Sequence, residues 1–447
     1  MERGKPQTQC LLPRPLPDPP PQAGEGNGEL VPMRQRRALV IGGSLGGLLA
    51  AHLLRSIGWD AVVFERNTDD LESRGSGIGT HADLIEIFRR IGIAFDASLG
   101  VHVSTVLCLD RAGNVVLRTP TVRTMSGWAR LYRSLREPLP GPVYRLGRGL
   151  DRVESDGARV TAVFSDGARE SGDLLIGADG IRSTVRAQFL PDVQPLYAGY
   201  IAWRAMLDER DIPEKLRAEI FEHYVFCDLE TEQCLGYPVP GRDNETTAGR
   251  RAFTIVWYRP TDASALVDLC TDSAGHHHAL SIPPPLIRPN IIADIKATAH
   301  ALLAPQIAEI FGRAKPFFQP IFDLESPQIV LGPAPPRIAL LGDAAFVARP
   351  HVGAGVTKAA LDAAALADAI LAHGDDLDAA LARYQHQQLS FGRGLVAYGR
   401  EEGAYISAQS KPPEQRSGPE LPRDIHSLVA AHHASRERVR RLVAERG

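Results

Sequence analysis

Three short stretches of this chain hold residues whose types and spacing could do chemistry together. The first reads Gly42-Gly43-Ser44-Leu45-Gly46-Gly47, with Glu65 and Arg66 standing 23 and 24 residues after Gly42. Glycines let a backbone approach a pyrophosphate closely, and a helix that starts there points unpaired N–H groups and a positive dipole end at the phosphates. A carboxylate about 20 residues further on is placed to accept ribose hydroxyls. Ser44 occupies the second glycine position of the usual G-x-G-x-x-G pattern, so Glu65 carries much of the argument; a plain glycine turn with a surface Glu is the competing reading. The second stretch runs Leu174-Leu175-Ile176-Gly177-Ala178-Asp179-Gly180-Ile181-Arg182. An apolar strand there delivers Asp179, Gly180 and Arg182 to its carboxyl end, the edge at which open α/β sheets bind ligands. The third contains Gly342-Asp343, Pro350-His351 and Gly353-Ala354-Gly355. It places an acid at a strand end, then a proline bend, then a glycine pair opening an alanine-rich helix whose start favours negative charge. Alone, the second is a common Asp-Gly turn and the third an ordinary entry to a core helix. Their order along one chain favours a nucleotide-cofactor site.

The elements that must position these residues follow from periodicity. Residues 38–41 form a short apolar strand, 45–56 a helix, Gly58 a stop and 61–64 a second strand, the β–α–β opening of a dinucleotide-binding sheet. Polar turns at 111–114, 155–157 and 165–167 separate alternating runs such as 159–164, which predicts a small antiparallel element. Residues 173–178 read as another buried strand, and 200–206, 225–228 and 254–258 as strands of a second sheet rich in aromatics. Tyr200, Trp203, Tyr224, Tyr237 and Trp257 are candidate pocket walls there, against the commoner alternative that aromatics on a sheet pack its core. Residues 271–290, with a His triplet and several prolines, read as a loop rather than a metal site. A strand at 338–341 precedes a helix from about 354 to 373, and 428–443 forms a C-terminal helix too sparse in apolar positions to stand without docking.

Composition bounds the partners. The chain has 447 residues, 44% hydrophobic and 23% charged, with a net charge of −3. Its length suits two connected domains, and its charge calls for neither nucleic acid nor an acidic membrane. Five cysteines, odd in number and without metal-type spacing, predict no disulfide framework and no metal, and fit a reducing, cytoplasmic setting. Residues 38–54 lack Lys, Arg, Asp and Glu, but the glycines at 42, 43, 46 and 47 interrupt them, so no membrane span is expected. Residues 1–33 are Pro-rich without a continuous apolar core, which predicts a disordered extension rather than a secretion signal.

In these three motifs the chain resembles the group A FAD-dependent aromatic hydroxylases with the para-hydroxybenzoate hydroxylase fold. It is most similar to their 2,6-dihydroxypyridine 3-hydroxylase branch, where the Gly-Gly-Ser-x-x-Gly turn and an Arg-Pro-His sequence like Arg349-Pro350-His351 also occur. The resemblance spans about Arg36 to Glu402. It implies an α/β fold in which a Rossmann-like FAD-binding domain (34–190 and 328–375) is interleaved with a substrate domain on a mostly antiparallel sheet (191–327). C-terminal helices (376–447) complete it. It further implies that residues 42–47 hold the FAD pyrophosphate, Glu65 the adenosine ribose and Asp343 the ribityl chain, and that residues 353–355 cover the pyrimidine edge. By the same resemblance, Asp179-Gly180 is implicated in the use of both FAD and NADH or NADPH. Trp128 stands where many relatives carry a phosphate-binding Arg, leaving Arg130 as the substitute. The implied reaction uses NAD(P)H and O2 to hydroxylate an activated aromatic or heteroaromatic ring, hydroxypyridine- or phenol-like, through a flavin C4a-hydroperoxide. Pro350 would shape the backbone near the flavin, and His351 or His81 would serve as base, against the stronger alternative of a structural histidine. A homodimer is expected by the same resemblance. The competing functions are a reductase or dehydrogenase of the same fold and a non-enzymatic flavin scaffold.

Overall fold

Burial on both faces makes the first strand the axis of the cofactor sheet. Arg37–Ile41 is buried from Ala38 onward and lies in parallel between Leu174–Gly177 and Asp60–Phe64, with Ala38 opposite Leu174 on one side and Ala61 on the other. Continuous apolar runs of this kind belong to parallel sheets covered by helices. In this computed structural model, which describes residues 35–71, 77–94 and 99–445, the six-stranded sheet runs Val330–Leu331, Ile338–Leu340, Leu174–Gly177, Arg37–Ile41, Asp60–Phe64, Tyr144–Arg145. The extension expected at 1–33 lies outside the described residues.

Four of these strands end at the same edge. Gly42, Glu65, Ala178-Asp179 and Leu341-Gly342 follow them directly, so residues up to 300 positions apart in sequence leave one sheet side by side. Helices Leu45–Ser56 and Gly355–His373 pack against each other beside the sheet, with alanines allowing close approach. A three-stranded antiparallel sheet, Leu150–Ser155, Val160–Phe164 and Arg169–Gly172, accounts for the polar turns between them.

The second sheet has nine strands, antiparallel except where Tyr224–Cys227 meets Val101–Leu109. It takes in Val101–Leu109, Val115–Gly127 and Gly77–Gly79, which precede residue 191, so this layer draws on more of the chain than the aromatic-rich stretch alone. Its two faces differ by the period-two rule. Ile201, Trp203 and Ala205 point into a core covered by helices Pro289–Leu302 and Pro305–Arg313. Tyr200, Ala202, Tyr224, Tyr237 and Tyr258 point the other way, toward Tyr405 and the C-terminal helix Ile425–Ala444. Residues Arg36–Gly447 form one compact unit. Among the described residues no helix is long and apolar enough to cross a membrane.

Candidate active site

The glycine turn is built by close approach. Gly42 has φ +108°, and a Cβ there would lie 2.4 Å from the Ala178 carbonyl oxygen; at Gly47 it would lie 1.9 Å from the Gly42 oxygen. Only glycine accommodates either contact. Ser44 is extended and makes no side-chain cap, and the first helical bond runs from Leu48 N to Ser44 O at 3.0 Å. The N–H groups of Leu45, Gly46 and Gly47 therefore have no partner within the helix, which suits an anion. Glu65 faces this turn at 5% exposure. Its Oε2 accepts from Gly43 N at 2.8 Å, and its Oε1 accepts from Asn67 N at 3.0 Å and from the Asn67 side chain. A carboxylate offers about four lone-pair positions, so one on Oε2 remains for a ligand hydroxyl. Tyr144 donates to the Gly43 carbonyl at 3.1 Å, so the Gly43 peptide is held at both its N–H and its oxygen.

A cavity of about 300 Å³ opens over the turn, walled by Gly42, Ser44, Glu65 and Arg66 from one side and by Asp179, Gly180 and Arg182 from the other. Trp128 and Arg148 also line it, whereas Arg130 does not. Trp128 stacks on Tyr132 at 5.0 Å, presenting a flat aromatic where the resemblance called for a guanidinium. Arg148 was not singled out in the sequence; its backbone N–H donates to Glu65 O at 2.7 Å, and that adjacency places it here. Asp179 caps the helix Thr184–Phe189 by accepting from Thr184 N at 2.7 Å through Oδ2, while its Oδ1 is buried without a partner. Burial raises the Asp179 carboxyl pKa, an effect the capping bonds oppose.

The third motif is fixed by a buried ion pair that its sequence did not disclose. Gly342 adopts φ +61°, and its N–H donates to Asp362 Oδ2 at 2.9 Å. Lys358 donates to the Gly342 carbonyl at 2.7 Å and to the same Asp362 oxygen at 3.0 Å. Both charged side chains are almost inaccessible. Lys358 and Asp362 thus grip the peptide of Gly342 and aim Asp343 into a second cavity of about 290 Å³. Pro350, His351, Gly353, Ala354 and Gly355 line the same cavity. A Cβ added at Gly353 or Gly355 would meet nothing within 4 Å, and Ala354 makes no side-chain cap, so the start of helix Gly355–His373 faces open space. The glycine cradle, the uncapped helix starts and the partnerless Asp179 Oδ1 fit a bound dinucleotide.

The candidate pocket residues divide by strand parity. Tyr224 and Tyr237 line the second cavity and stack on each other at 5.1 Å. Trp203 and Trp257 do not: they are cross-strand partners on the opposite face, packed on Phe318 at 5.1 Å and Phe311 at 5.9 Å, and Trp257 donates to Glu232 at 2.6 Å. Tyr200 is wholly buried behind the wall and bonds to His351 Nε2 at 2.8 Å. His351 Nδ1 lies 2.8 Å from Gln233 Oε1. A carboxamide oxygen can only accept, so Nδ1 carries the proton and Nε2 accepts from Tyr200. Burial, with Arg349 and Arg423 nearby, pushes the His351 pKa down to about 3. With both nitrogens engaged, His351 is a neutral wall residue and not a free base. His81 is not a cavity residue: its Nε2 bonds to the Gly353 oxygen at 3.1 Å, and burial, then Arg436, lowers its pKa to about 4. Tyr258, Arg204, Arg123 and His432 line the cavity without having been named in the sequence. The alternation that turns Trp257 inward to the core turns Tyr258 outward. Leu428, His432 and Ser435, spaced i, i+4, i+7, mark the cavity face of the C-terminal helix.

Comparison with known proteins agrees with this arrangement. The FAD binding domain family matches residues 35–206, and an FAD binding domain-like family matches 197–323. The chain is 29% identical over 362 residues to 2,6-dihydroxypyridine 3-monooxygenase of Paenarthrobacter nicotinovorans, covering 80% of this chain and 89% of that protein. It is 28% identical over 363 residues to 6-hydroxynicotinate 3-monooxygenase of Pseudomonas fluorescens, covering 77% and 86%. Among solved structures, 2,6-dihydroxypyridine-3-hydroxylase from Arthrobacter nicotinovorans superposes with a TM-score of 0.77 at 27% identity, over 87% of this chain and 98% of that one. With the ordered motifs, the two-sheet fold and these likenesses in agreement, the chain is an FAD-binding protein similar to the group A FAD-dependent aromatic hydroxylases, flavoprotein monooxygenases of the para-hydroxybenzoate hydroxylase fold.

Proposed function

We propose that this chain uses NADH or NADPH and O2 to hydroxylate an activated aromatic or heteroaromatic ring, hydroxypyridine- or phenol-like. The observation that carries the reading is the sharing of one cavity by Asp343, Pro350 and Gly353–Gly355 with Tyr224, Tyr237 and Tyr258. Residues 42–47 would hold the pyrophosphate and Glu65 the ribose, with Arg66 and Arg182 at the cavity mouth. Asp343 would hold the ribityl chain, and the N–H groups at Gly353–Gly355 the pyrimidine edge. FAD supplies reductive activation of O2 and transfer of one oxygen atom to the ring. The chain's own residues bind, orient and exclude water. Phe226, Leu235 and Val256 make one wall apolar, and the helix start at Gly355 favours negative charge beside it. Pro350 holds the bend between them.

In this reading 34–190 with 328–375 binds the cofactor, 191–327 supplies most of the substrate wall and 376–447 closes it. A cytoplasmic setting fits the four buried free thiols Cys108, Cys227, Cys234 and Cys270. A homodimer, carried by family resemblance, is tested by light scattering. The deciding experiment supplies hydroxypyridines and phenols to the purified flavoprotein and follows NAD(P)H oxidation, with mass spectrometry for one added oxygen. NAD(P)H oxidation without an oxygenated product would favour a reductase of the same fold.

A further inference from the structure

Gln233 stands directly opposite Tyr258 across the paired strands Gln233–Val239 and Ala252–Pro260, so both side chains rise from the same face of the sheet. Gln233, Leu235 and Tyr237 are alternate residues of one strand, and all three line the second cavity. One end of the Gln233 carboxamide is engaged: Oε1 accepts from His351 Nδ1 at 2.8 Å. The other end, Nε2, bonds to no other group among the described residues and is not enclosed in the core, so it opens onto the cavity. The orientation of this amide is set from a distance. Arg349, held by Asp323 at 3.0 Å, donates to Ser407 at 2.7 Å and also to the Tyr200 hydroxyl. A guanidinium has donors and no acceptor. The Tyr200 oxygen therefore receives that bond, and its single proton is left for His351 Nε2 at 2.8 Å. A neutral imidazole that accepts at Nε2 must donate at Nδ1, and burial keeps His351 neutral. Its ring cannot turn over easily, because the Tyr258 ring lies 4.5 Å away on one side and a Cβ at Gly403 would lie 3.1 Å from Nε2 on another. The end of Gln233 that faces His351 is thus the oxygen, and the end that faces the cavity is the NH2. Each bond in such a chain polarises the next, and this chain starts at a buried cation and finishes at a donor.

We propose that Gln233 determines substrate specificity: its Nε2 donates to an oxygen on the substrate ring, so that the cavity selects rings presenting an acceptor there, a pyridone carbonyl or a phenolate. The inference rests on the hydroxylase reading of the cavity. A ring amine in the same place would set donor against donor, and a polar group buried without its partner costs more than an ordinary bond yields. A site built around such a bond rejects the mismatched analogue far more strongly than an apolar pocket can.

The test uses the FAD-loaded full chain and near-isosteric pairs, 2,6-dihydroxypyridine with 2,6-diaminopyridine, 2-hydroxypyridine with 2-aminopyridine, and phenol with aniline, under mildly alkaline conditions that keep the amines neutral. Binding is followed by the change in flavin absorbance. The hydroxylated ring should bind at least about tenfold more tightly than its amino partner in one pair or more. Gln233→Met, which keeps the bulk and removes the amide, should bring that pair within about twofold. Gln233→Glu, which still accepts from His351 but offers only acceptors to the cavity, should turn the preference toward the amine. A merely structural Gln233 would weaken both rings alike and leave their ratio in place. Flavin content checks that each variant folds. Independently of any ring, nitrogen NMR of isotope-labelled histidines, with His351→Asn identifying the resonance, should show His351 protonated at Nδ1 and bare at Nε2. The opposite tautomer would turn the carboxamide round and overturn the proposal. So would equal affinities within every pair, a preference that survives Gln233→Met, or hydroxylation of other rings while none of the hydroxylated probes binds. Absence of bound FAD, or of oxygen insertion into any ring, would count against the hydroxylase reading instead.

Discussion

Glu65 and the Lys358–Asp362 pair share a principle: an ionised side chain orders a glycine peptide before any ligand arrives. Glu65 has three of its acceptor positions filled by Gly43 and Asn67, so Glu65→Ala removes both a ligand contact and the restraint on the turn. Each charge-assisted bond is worth about 1.5–3 kcal/mol, and the variant should lose FAD affinity at least about tenfold. Fluorescence titration of the stripped protein with FAD measures this, and unchanged affinity would remove Glu65 from the site. The buried pair makes a different forecast. Asp362→Asn leaves the Lys358 ammonium without a counter-charge and should cost about 3–5 kcal/mol, whereas Lys358→Met with Asp362→Leu should cost less because both desolvation penalties vanish. The double variant should nevertheless bind FAD weakly, since Gly342 has lost its grip. A double variant with full FAD occupancy would mean that Asp343 is positioned by its strand alone.

Elements tell which parts of this were legible in sequence and why. The strand 38–41 and the helix 45–56 followed from apolar runs bounded by glycines, and the structure places them at Arg37–Ile41 and Leu45–Ser56. The three motifs converge because parallel strands share a carboxyl edge, a rule of topology that needs no side-chain detail. The pocket wall was less legible. Trp203 and Tyr200 sit three residues apart on one strand and face opposite sides, so choosing aromatics by type mixed the core with the cavity. Period two separates them once one orientation is known, but the sequence alone does not say which parity faces the cofactor. Arg123 and His432 come from segments more than 300 residues apart, and no local pattern joins them. The C-terminal helix buries Leu428 and Val429 on the aromatic face, so ending the chain after Arg423 should leave FAD bound while ring-stimulated NAD(P)H oxidation falls at least about tenfold. Retained stimulation would place the substrate elsewhere.

For the whole molecule, buried histidines set an acid limit on stability. His351 and His81 have pKa values lowered to about 3 and about 4, and His432 lies well below its usual value, all chiefly through burial. Above pH 6.5 these groups are neutral in both the folded and unfolded chains and contribute nothing to pH dependence. Below it the unfolded chain takes up protons that the folded chain refuses, so stability falls as pH drops from 6.5 toward 4. At pH 5.5 His351 and His81 should each cost about 1.4 kcal/mol, together about 3 kcal/mol, and His432 acts in the same direction. Urea unfolding at pH 7.5 and 5.5 should show this loss, reduced by about 1.4 kcal/mol in His81→Asn; equal stability at the two pH values would mean that these rings are reached by water. The grip on Gly342 bears on motion as well as placement. The segment from Gly342 to Lys358 is a closed loop of chain whose ends are joined by one buried charge contact. Local fraying cannot release it without exposing both charges, so the Gly342 amide should exchange its hydrogen only through openings close to global unfolding in free energy. The lip of the cofactor cradle would then be among the slowest-exchanging parts of the molecule although it faces open space, and ligand entry would have to come from movement of the opposite wall.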